Sequence, residues 1–402
     1  MKLIKIGKVF SSIRNGATIK QDKIVDGVPI TRIETIADGT IDLNRLGYAA
    51  VSEENFKDFY LKDGDILMSH INSVSHLGKV AIFENRTEII IHGMNLLCLK
   101  VNTDKLFPKY GFYYLRSLQF RSSIKKITKK SVNQASFNIS GLKEIEIPIP
   151  DNLSDQIQIA NILSIAETLI EQRKQSIALL DELLKSSFLE MFGSPMINEK
   201  DWEKVSLSKL GSIERGVSKN RPRNSPELLG GKYPLIQTGV VTNSGLFITS
   251  YKHTYSELGL KQSKLWKKGT MLITIAANIA QTSILTFDAC FPDSIAGFIT
   301  NEKEANTIYV HFLFSFLQKI IEKNAPQMAQ KNINLAFLRS LKVPKPPIEL
   351  QTQFAQLVEK TEALKEQYKN SLQELENLYG SLSQQAFKVE LELKTKGQQT
   401  KN

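Results

Sequence analysis

Basic side chains cluster at two places in this sequence, where they could bind phosphate groups. The clusters are Lys125, Lys126, Lys129 and Lys130, and Lys219, Arg221 and Arg223. The spacing of the four lysines places several ammonium groups near one side of a helix end or loop, and Pro222 indicates a loop at the second cluster. Ammonium groups neutralise phosphates, and a guanidinium can also bind guanine through two hydrogen bonds. The ordinary alternatives are a solvated charged face and a flexible surface loop.

Polar residues also follow a strand-like segment that occurs twice, as Gly64-Asp-Ile-Leu67 and as Gly269-Thr-Met-Leu272. The residues concerned are His70, Asn72 and Ser73 in the first half and Asn278 in the second. Loops at strand ends suit contact with base edges, although ordinary turns are polar too. A further group stands where the first half has its lysine run, and it comprises Lys323, Gln327 and Lys331. These residues complete the predicted nucleic-acid contacts.

The ionisable residues form no recognisable catalytic or metal-binding pattern. The histidines lack ligand spacing, and neither Cys98 nor Cys290 has a CxxC partner. Gly230-Gly231 is followed by Lys-Tyr-Pro, which is typical of a turn and not of a nucleotide-binding loop. The sequence therefore predicts a chain with no catalytic residues, metal or cofactor of its own, while a site assembled from distant residues stays open as an alternative.

Two long amphipathic helices are predicted to position these groups, over residues 159–191 and 354–388. In each helix, mainly apolar residues recur at alternating steps of four and three, which is the period of a coiled-coil seam. The predicted seam residues are Ile159, Leu163, Ile170, Ile177, Leu180 and Leu184 in the first helix, and Phe354, Val358, Tyr368, Leu372, Leu375 and Tyr379 in the second. Arg173, Thr361 and Lys365 interrupt the seam.

The two helices match each other at a constant offset of 195 residues, without a gap. The identities include polar pairs such as Glu167 with Glu362 and Gln172 with Gln367. Unrelated amphipathic helices would agree only along the apolar stripe, so the polar identities indicate an internal repeat. Because the matching partner lies in the same chain, we expect the seam to be intramolecular.

The segments before each helix are also related, which predicts two copies of one globular unit. The run 142–150 is matched by 338–346, and the run 61–67 by 266–272, whereas the middles of the units differ. In the first unit we expect a strand-like run from Val28 to Ile33 and a hairpin at Asp38-Gly39. The predicted boundaries are 1–152 and 196–347 for the two globular domains, 153–195 and 348–390 for the helices, and 391–402 for a polar tail.

The predicted fold class is therefore α+β: two α/β domains separated by two long helices that form an intramolecular coiled coil, arranged as an internal tandem repeat. The chain has 402 residues and a net charge of +11, which suit several domains and an anionic partner. Two cysteines, a lysine-interrupted N-terminus and no long apolar run predict a soluble cytoplasmic protein that does not bind a membrane.

This duplicated layout resembles the specificity subunit of type I restriction-modification systems over essentially the whole chain. The residues that carry the resemblance are Trp202 at the start of the second unit, 64–67 and 269–272, 291–298, 332–334 and the helix stretch 174–184. None of these marks is decisive alone, but their ordered double occurrence is specific.

The resemblance implies that each globular unit is a target-recognition domain for one half of a split double-stranded DNA sequence. It also implies that the helices pair antiparallel, which relates the two halves by pseudo-two-fold symmetry. The paired helices would dock two methyltransferase (modification) subunits, which restriction/translocase subunits join. The specificity subunit itself is not an enzyme, and S-adenosylmethionine belongs to the partner methyltransferase. In keeping with this, the only Pro-Pro pair, Pro346-Pro347, lies between Lys345 and Ile348 and lacks the following aromatic residue of an adenine methyltransferase loop.

The resemblance also suggests that the helices act as a ruler, because two readers on one face of a duplex sit about 34 Å, or one helical turn, apart. Two alternatives stay open. One is a DNA-binding adaptor of the same layout with no methyltransferase partner, which co-purification would distinguish. The other is a fused or degenerate methyltransferase, which would bind S-adenosylmethionine as an isolated chain.

Overall fold

The computed structural model describes residues 1–21, 27–51, 53–84, 88–132, 134–220, 222, 225–276, 278–324 and 333–388. Two compact units divide the chain. One contains residues 1–174 together with the segment from 371 onward, and the other contains residues 175–370. Each unit thus combines one globular domain with half of each long helix.

The first globular domain begins and ends in the same two-stranded sheet, because β1 pairs with β11 antiparallel. Its strands are β1 (Lys2–Lys5), β2 (Phe10–Asn15), β3 (Val28–Ile30), β4 (Gly47–Ala49), β5 (Ile66–Ser69), β6 (Ile71–Asn72), β7 (Val80–Ile82), β8 (Leu96–Val101), β9 (Lys129–Lys130), β10 (Ala135–Ser136) and β11 (Glu146–Ile149). Its α-helices are α1 (Ile6–Val9), α2 (Pro108–Arg116), α3 (Leu118–Ile127) and α4 (Ile139–Glu144).

The main sheet of the first domain is antiparallel, in the order β2-β8-β5-β7. Successive side chains of a strand point to opposite faces. Accordingly, Ile66 and Met68 join the core shared with α2, α3 and the long helices, whereas Leu67 joins a second core with Cys98 and Phe83. Both faces are covered, which explains why this strand reads as a continuous apolar run.

The second domain repeats this plan, and β12 pairs with β20 to close it. Its strands are β12 (Lys204–Ser206), β13 (Gly211–Arg215), β14 (Leu229–Leu235), β15 (Phe247–Ile248), β16 (His253–Tyr255), β17 (Met271–Thr274), β18 (Thr282–Leu285), β19 (Ile295–Thr300) and β20 (Lys342–Pro344). Its α-helices are α6 (Leu207–Leu210), α7 (Thr238–Asn243), α8 (Glu257–Lys261), α9 (Thr307–Asn324) and α10 (Leu335–Ser340). The main sheet has the order β13-β19-β17-β18-β15, in which β15 is parallel to β18.

The long helices are α5 (Leu153–Phe192) and α11 (Ile348–Ala386). In the first unit, Ile159 at the start of α5 belongs to the same core as Tyr379 near the end of α11. In the second unit, Phe188 near the end of α5 packs against Phe354 at the start of α11, with ring centroids 5.5 Å apart. The helices therefore pair within the chain, as the repeat predicts, and run antiparallel, as the resemblance implies. Every predicted seam residue is buried or half-buried.

Equivalent residues attach each long helix to its domain. The buried Gln156 accepts a hydrogen bond from the Phe107 amide at 2.8 Å, and the buried Gln351 accepts one from the Asn306 amide at 2.9 Å. Gln156 and Gln351 are related by the 195-residue offset of the helices. An amide side chain satisfies a donor and an acceptor at once, so each glutamine ties the first turn of its helix to the loop ahead of a domain helix.

The structure corrects two details of the sequence analysis. The strand that begins at Val28 ends at Ile30, and the residues Ile33–Ile36 form a 3-10 helix and not a strand. The predicted hairpin at Asp38-Gly39 is therefore wrong, although Gly39 does occupy a turn with a φ of +80°. A short β-branched stretch of this kind has the same apolar content in either conformation, so its pattern alone does not separate them.

Among the described residues, no helix combines the length and the apolar character needed to cross a membrane.

Candidate nucleic-acid interface

One edge of the main sheet in the first domain gathers the predicted contact residues. Strands β2 and β5 end at this edge and strands β8 and β7 begin there, as shown by the pairs Asn15↔Leu97, Ser69↔Leu96 and Met68↔Val80. The loops 16–21, 70–79 and 92–95 consequently emerge side by side. Alternating strand directions produce this clustering, which is why residues distant in sequence become neighbours.

The lysine run reaches the same edge through a small sheet with the order β6-β10-β9. In this sheet Ala135 pairs with Asn72 on one side and with Lys130 on the other. The structure thus brings the predicted lysines and the predicted strand-end loop together, as neighbours of β10.

Helix α3 sets the direction of the remaining lysines. Ser117 caps its N-terminus by accepting a hydrogen bond from the Phe120 amide, and Phe120 and Ile124 are buried. Lys125 and Lys126 occupy the exposed face of its last turn. Within the described part of the chain, none of the four predicted lysines forms an ion pair, so their charges are available to an external anion.

His70 does not belong to this surface, contrary to the prediction from its position after β5. Its side chain is only 6% exposed and packs edge-on against Phe137, with ring centroids 6.4 Å apart. Burial lowers the pKa of the ring, since desolvation disfavours the imidazolium. The exposed Ser73, whose amide donates to the Asn72 side chain at 2.7 Å, and the half-buried Asn72 remain at the surface.

The second domain has the corresponding edge. Strands β13 and β17 end there and β19 begins there, with the pairs Arg215↔Ala296 and Thr274↔Ile295. Lys219 lies on the loop after β13, and its amide donates to the Gln262 side chain at 2.7 Å. Asn278 lies on the loop after β17, and its carbonyl accepts from the Thr274 hydroxyl. The side chains of Lys219 and Asn278 are exposed.

The other predicted contacts of the second domain lie outside the described residues, or have side chains that do. These are Arg221, Arg223, Lys323, Gln327 and Lys331.

Sequence reasoning missed the loops 17–21 and 92–95, which lie at the same edge as the lysines. The signal was available in two glycines that end equivalent strands. A Cβ at Gly16 would lie 2.2 Å from the His92 carbonyl oxygen, and a Cβ at Gly216 would lie 2.3 Å from the Pro292 carbonyl oxygen. Each glycine therefore lets the loop after its strand pass against the segment ahead of the neighbouring strand.

The ionisable side chains of His92, Cys98 and Cys290 are buried in the interior of the two domains. His92 is 2% exposed, its Nε2 lies 2.9 Å from the Leu96 carbonyl oxygen, and burial lowers the pKa of its ring to about 4. Burial also raises the pKa of Cys98, and that of Cys290 to about 11, so both thiols stay protonated at neutral pH. No group of three or more potential metal ligands occurs among the described residues.

Comparison with known proteins places this architecture in a family. The family model of the type I restriction modification DNA specificity domain matches the chain twice, over residues 1–180 and 199–377. The chain is 33% identical over 390 residues to a putative type I restriction enzyme MjaX specificity subunit from Methanocaldococcus jannaschii, and the alignment covers 92% of this chain and 90% of that protein.

Solved structures share the fold. The type I restriction-modification S subunit from M. genitalium matches with a TM-score of 0.61 at 17% identity, over 96% of each chain. A chain from a structure of a type I restriction-modification system, described in terms of complex assembly and conformational transition, matches with a TM-score of 0.62 at 15% identity, over 97% of this chain and 98% of that one. With both halves matched by one domain model and nearly the full length aligned to a named relative, the chain belongs to the family of type I restriction-modification DNA specificity subunits, which select the DNA sequence and are not catalytic.

Proposed function

We propose that each of the two domains reads one half of a bipartite sequence in double-stranded DNA. The observation that carries this proposal is the double match of the DNA specificity domain within one chain. It is supported by the equivalent sheet edges, each of which presents exposed polar or basic loops. The recognition domains would be residues 1–152 and 196–347, joined by helical segments 153–195 and 348–390 and followed by a polar tail, 391–402.

The four lysines of the first domain would contact phosphates, and the loop residues Asn72, Ser73 and Asn278 would contact base edges. Lys219, together with Arg221 and Arg223, would bind phosphate or guanine in the second domain. Lys323, Gln327 and Lys331 would take the place of the lysine run there. Phosphate contacts position a protein on the duplex, and base contacts select the sequence.

The long helices would dock two methyltransferase subunits, which restriction/translocase subunits join in the complete complex. This stoichiometry is supported by exposed apolar side chains at repeat-related positions of the two helices. Leu169 is 44% and Leu364 36% exposed, and Leu183 is 47% and Leu378 51% exposed. Exposed leucines that recur on both helices suit two equal partner surfaces. The complex would act on DNA in the cytoplasm and so direct adenine methylation and restriction.

Exchange of one domain tests the bipartite reading. Residues 1–152 are replaced by the corresponding domain of a specificity subunit with a different target, and the complex is formed with its methyltransferase. The set of methylated sequences should change in one half only, while the other half and the spacer persist. The reciprocal exchange of 196–347 is the matched control. A change of both halves in either chimaera would contradict independent reading.

A further inference from the structure

Each domain contains a cavity at the edge of its main sheet where the predicted contact residues gather. The two cavities lie at equivalent positions of the repeat. The cavity of the first domain has a volume of about 280 Å³ and is lined among others by Gln21, Arg32, Glu34 and Asn95. The cavity of the second has a volume of about 510 Å³, and its lining includes Gln237, Thr238, His253 and Ser294.

Matching backbone hydrogen bonds establish the equivalence. The Ile91 amide donates to the Pro29 carbonyl at 2.8 Å, and the Thr31 amide donates to the Ile91 carbonyl at 2.9 Å. In the second domain, Cys290 makes the same two bonds, accepting from Ile236 and donating to the carbonyl of Pro234, each at 2.8 Å.

The next residue is therefore the same position in both domains: Arg32 in the first and Gln237 in the second. Both residues precede a short helix in extended backbone conformation, with φ and ψ of −124° and 171° for Arg32 and of −103° and 163° for Gln237. The same backbone position therefore carries an arginine in the first domain and a glutamine in the second.

The two cavities are lined by chemically different side chains at positions where their backbones match. Arg32 pairs through Nε with the Glu34 carboxylate at 3.2 Å, and both side chains are partly exposed. At the corresponding positions the second domain has the exposed Gln237, which makes no capping hydrogen bond, and Gly239. Specificity that varies between copies of one fold requires this combination of constant backbone and variable polar side chains.

The first cavity adjoins the loop that follows β2, the first strand of the main sheet. This loop supplies Thr18, Ile19 and Gln21 to the first cavity and carries the exposed Lys20. Its counterpart after Gly216 carries the exposed Lys219. A cation beside the first cavity, and one on the equivalent loop of the second domain, suit a DNA backbone whose bases face the cavities.

We propose that Arg32 with Glu34 reads a G·C base pair in one half-site and that Gln237 reads the adenine of an A·T pair in the other. This assignment rests on the proposed bipartite reading. Arginine donates two hydrogen bonds to guanine O6 and N7, glutamate accepts one from cytosine N4, and glutamine matches adenine N6 and N7. Because Glu34 holds Nε, the guanidinium is oriented with its two terminal amino groups free of that ion pair.

The test uses the complete complex with its methyltransferase and measures methylation rates on a library of target variants. Arg32→Gln should reduce discrimination for the G·C pair at one position of the first half-site by about tenfold to a hundredfold, the range for loss of one bidentate contact. Gln237→Arg should shift one position of the second half-site from A·T towards G·C by a similar factor. Arg32→Lys, which keeps the charge but loses the planar fork, should behave like Arg32→Gln.

Arg45→Gln is the matched control, because Arg45 lies in the same domain and is also paired with carboxylates, at 2.8 Å from Asp38, but does not line the cavity. It should leave the preferred sequence unchanged. Preserved discrimination in the Arg32 and Gln237 variants would overturn the assignment, as would a wild-type target without G·C in the first half-site or A·T in the second. The domain exchange described above would still change one half-site in that case, which separates failure of this assignment from failure of bipartite reading.

Discussion

At the scale of single residues, exposure separates the side chains that can contact DNA from those that hold the domain together. The lysines at the end of α3 and on β9 are exposed, whereas the neighbouring Phe120, Ile124 and Phe137 are buried beneath them. Burial of these apolar residues anchors the segment, so the lysines between them remain at the surface. Their proposed role is sequence-independent binding of phosphates.

Replacement of Lys125, Lys126, Lys129 and Lys130 by alanine should weaken DNA binding by the complex about equally for all sequences. Each phosphate contact contributes about 0.9 to the slope of log affinity against log salt concentration. The slope should therefore become shallower by about 3 to 4 if all four lysines contact phosphates. Fluorescence anisotropy over a salt titration measures it.

The control replaces the same four lysines with arginine, which keeps the charge and should keep the slope. If the alanine variant shows the wild-type salt dependence, the lysine run does not face the DNA.

At the scale of elements, both long helices are attached to their domains by hydrogen bonds of an equivalent glutamine. Gln351 accepts from the Asn306 amide and donates to the Pro346 carbonyl at 2.8 Å, while Gln156 donates to the Lys105 carbonyl at 3.2 Å. At the opposite ends, Phe387 packs on Tyr110 and Phe192 packs on Tyr309, with ring centroids 5.4 and 4.9 Å apart. Each domain is thus fixed to the start of one helix and the end of the other.

Gln351→Ala should lower the free energy of unfolding of the chain by about 2 to 3 kcal/mol. The substitution leaves the half-buried Asn306 amide and the buried Pro346 carbonyl without their partner. Each unsatisfied buried group costs about 1 to 3 kcal/mol. Chemical denaturation followed by circular dichroism measures the change.

Gln356→Ala on the exposed face of the same helix is the matched control and should change stability by less than about 0.5 kcal/mol. Equal stability of the two variants would show that Gln351 does not anchor α11.

The ion pairs between the helices break the repeat symmetry. In the first unit Lys174 lies 3.6 Å from Glu376. In the second, Asp181 stands at the position of Glu376 but pairs with Lys365 at 2.5 Å. Burial works to lower the pKa of Lys365, yet Asp181 and Glu362 outweigh it and raise the pKa. The interruption of the seam by Lys365 is therefore compensated by carboxylates, which also favours one pairing register.

At the scale of the whole molecule, the long helices are continuous through both compact units. Helix α5 contains 40 residues and α11 contains 39, so at a rise of about 1.5 Å per residue each is about 60 Å long. The proposed role of this length is to set the spacer between the half-sites.

Deletion of one heptad from each helix, residues 172–178 and 367–373, should shorten the preferred spacer. Seven residues correspond to about 10 Å of helix, or about 3 base pairs, and removal of a whole heptad keeps the phase of the seam. Methylation of a target series with spacers of different length measures the preference.

The matched control inserts one heptad at the same two places and should lengthen the preferred spacer by a similar amount. An unchanged spacer preference in both variants would refute the ruler. If the variants methylate no DNA, their binding to the same target series measures the spacer preference without catalysis.

The internal repeat, the two helices and their pairing within one chain are all evident from the sequence alone. These features depend on local periodicity and on identities at a constant offset, such as Glu167 with Glu362, and both can be read without coordinates. The basic run 125–130 was also recognisable, because charge is a property of composition.

Which polar residues share a surface depends on the tertiary structure. His70 and Asn72 are two residues apart, yet the first is buried and the second reaches the surface, since the sheet and Phe137 cover one of them. Arg32 and Gln237 carry no motif, and their equivalence follows from hydrogen bonds to Ile91 and Cys290 on a distant segment. Burial and register depend on contacts between residues far apart in the chain, which local patterns of side-chain type do not specify.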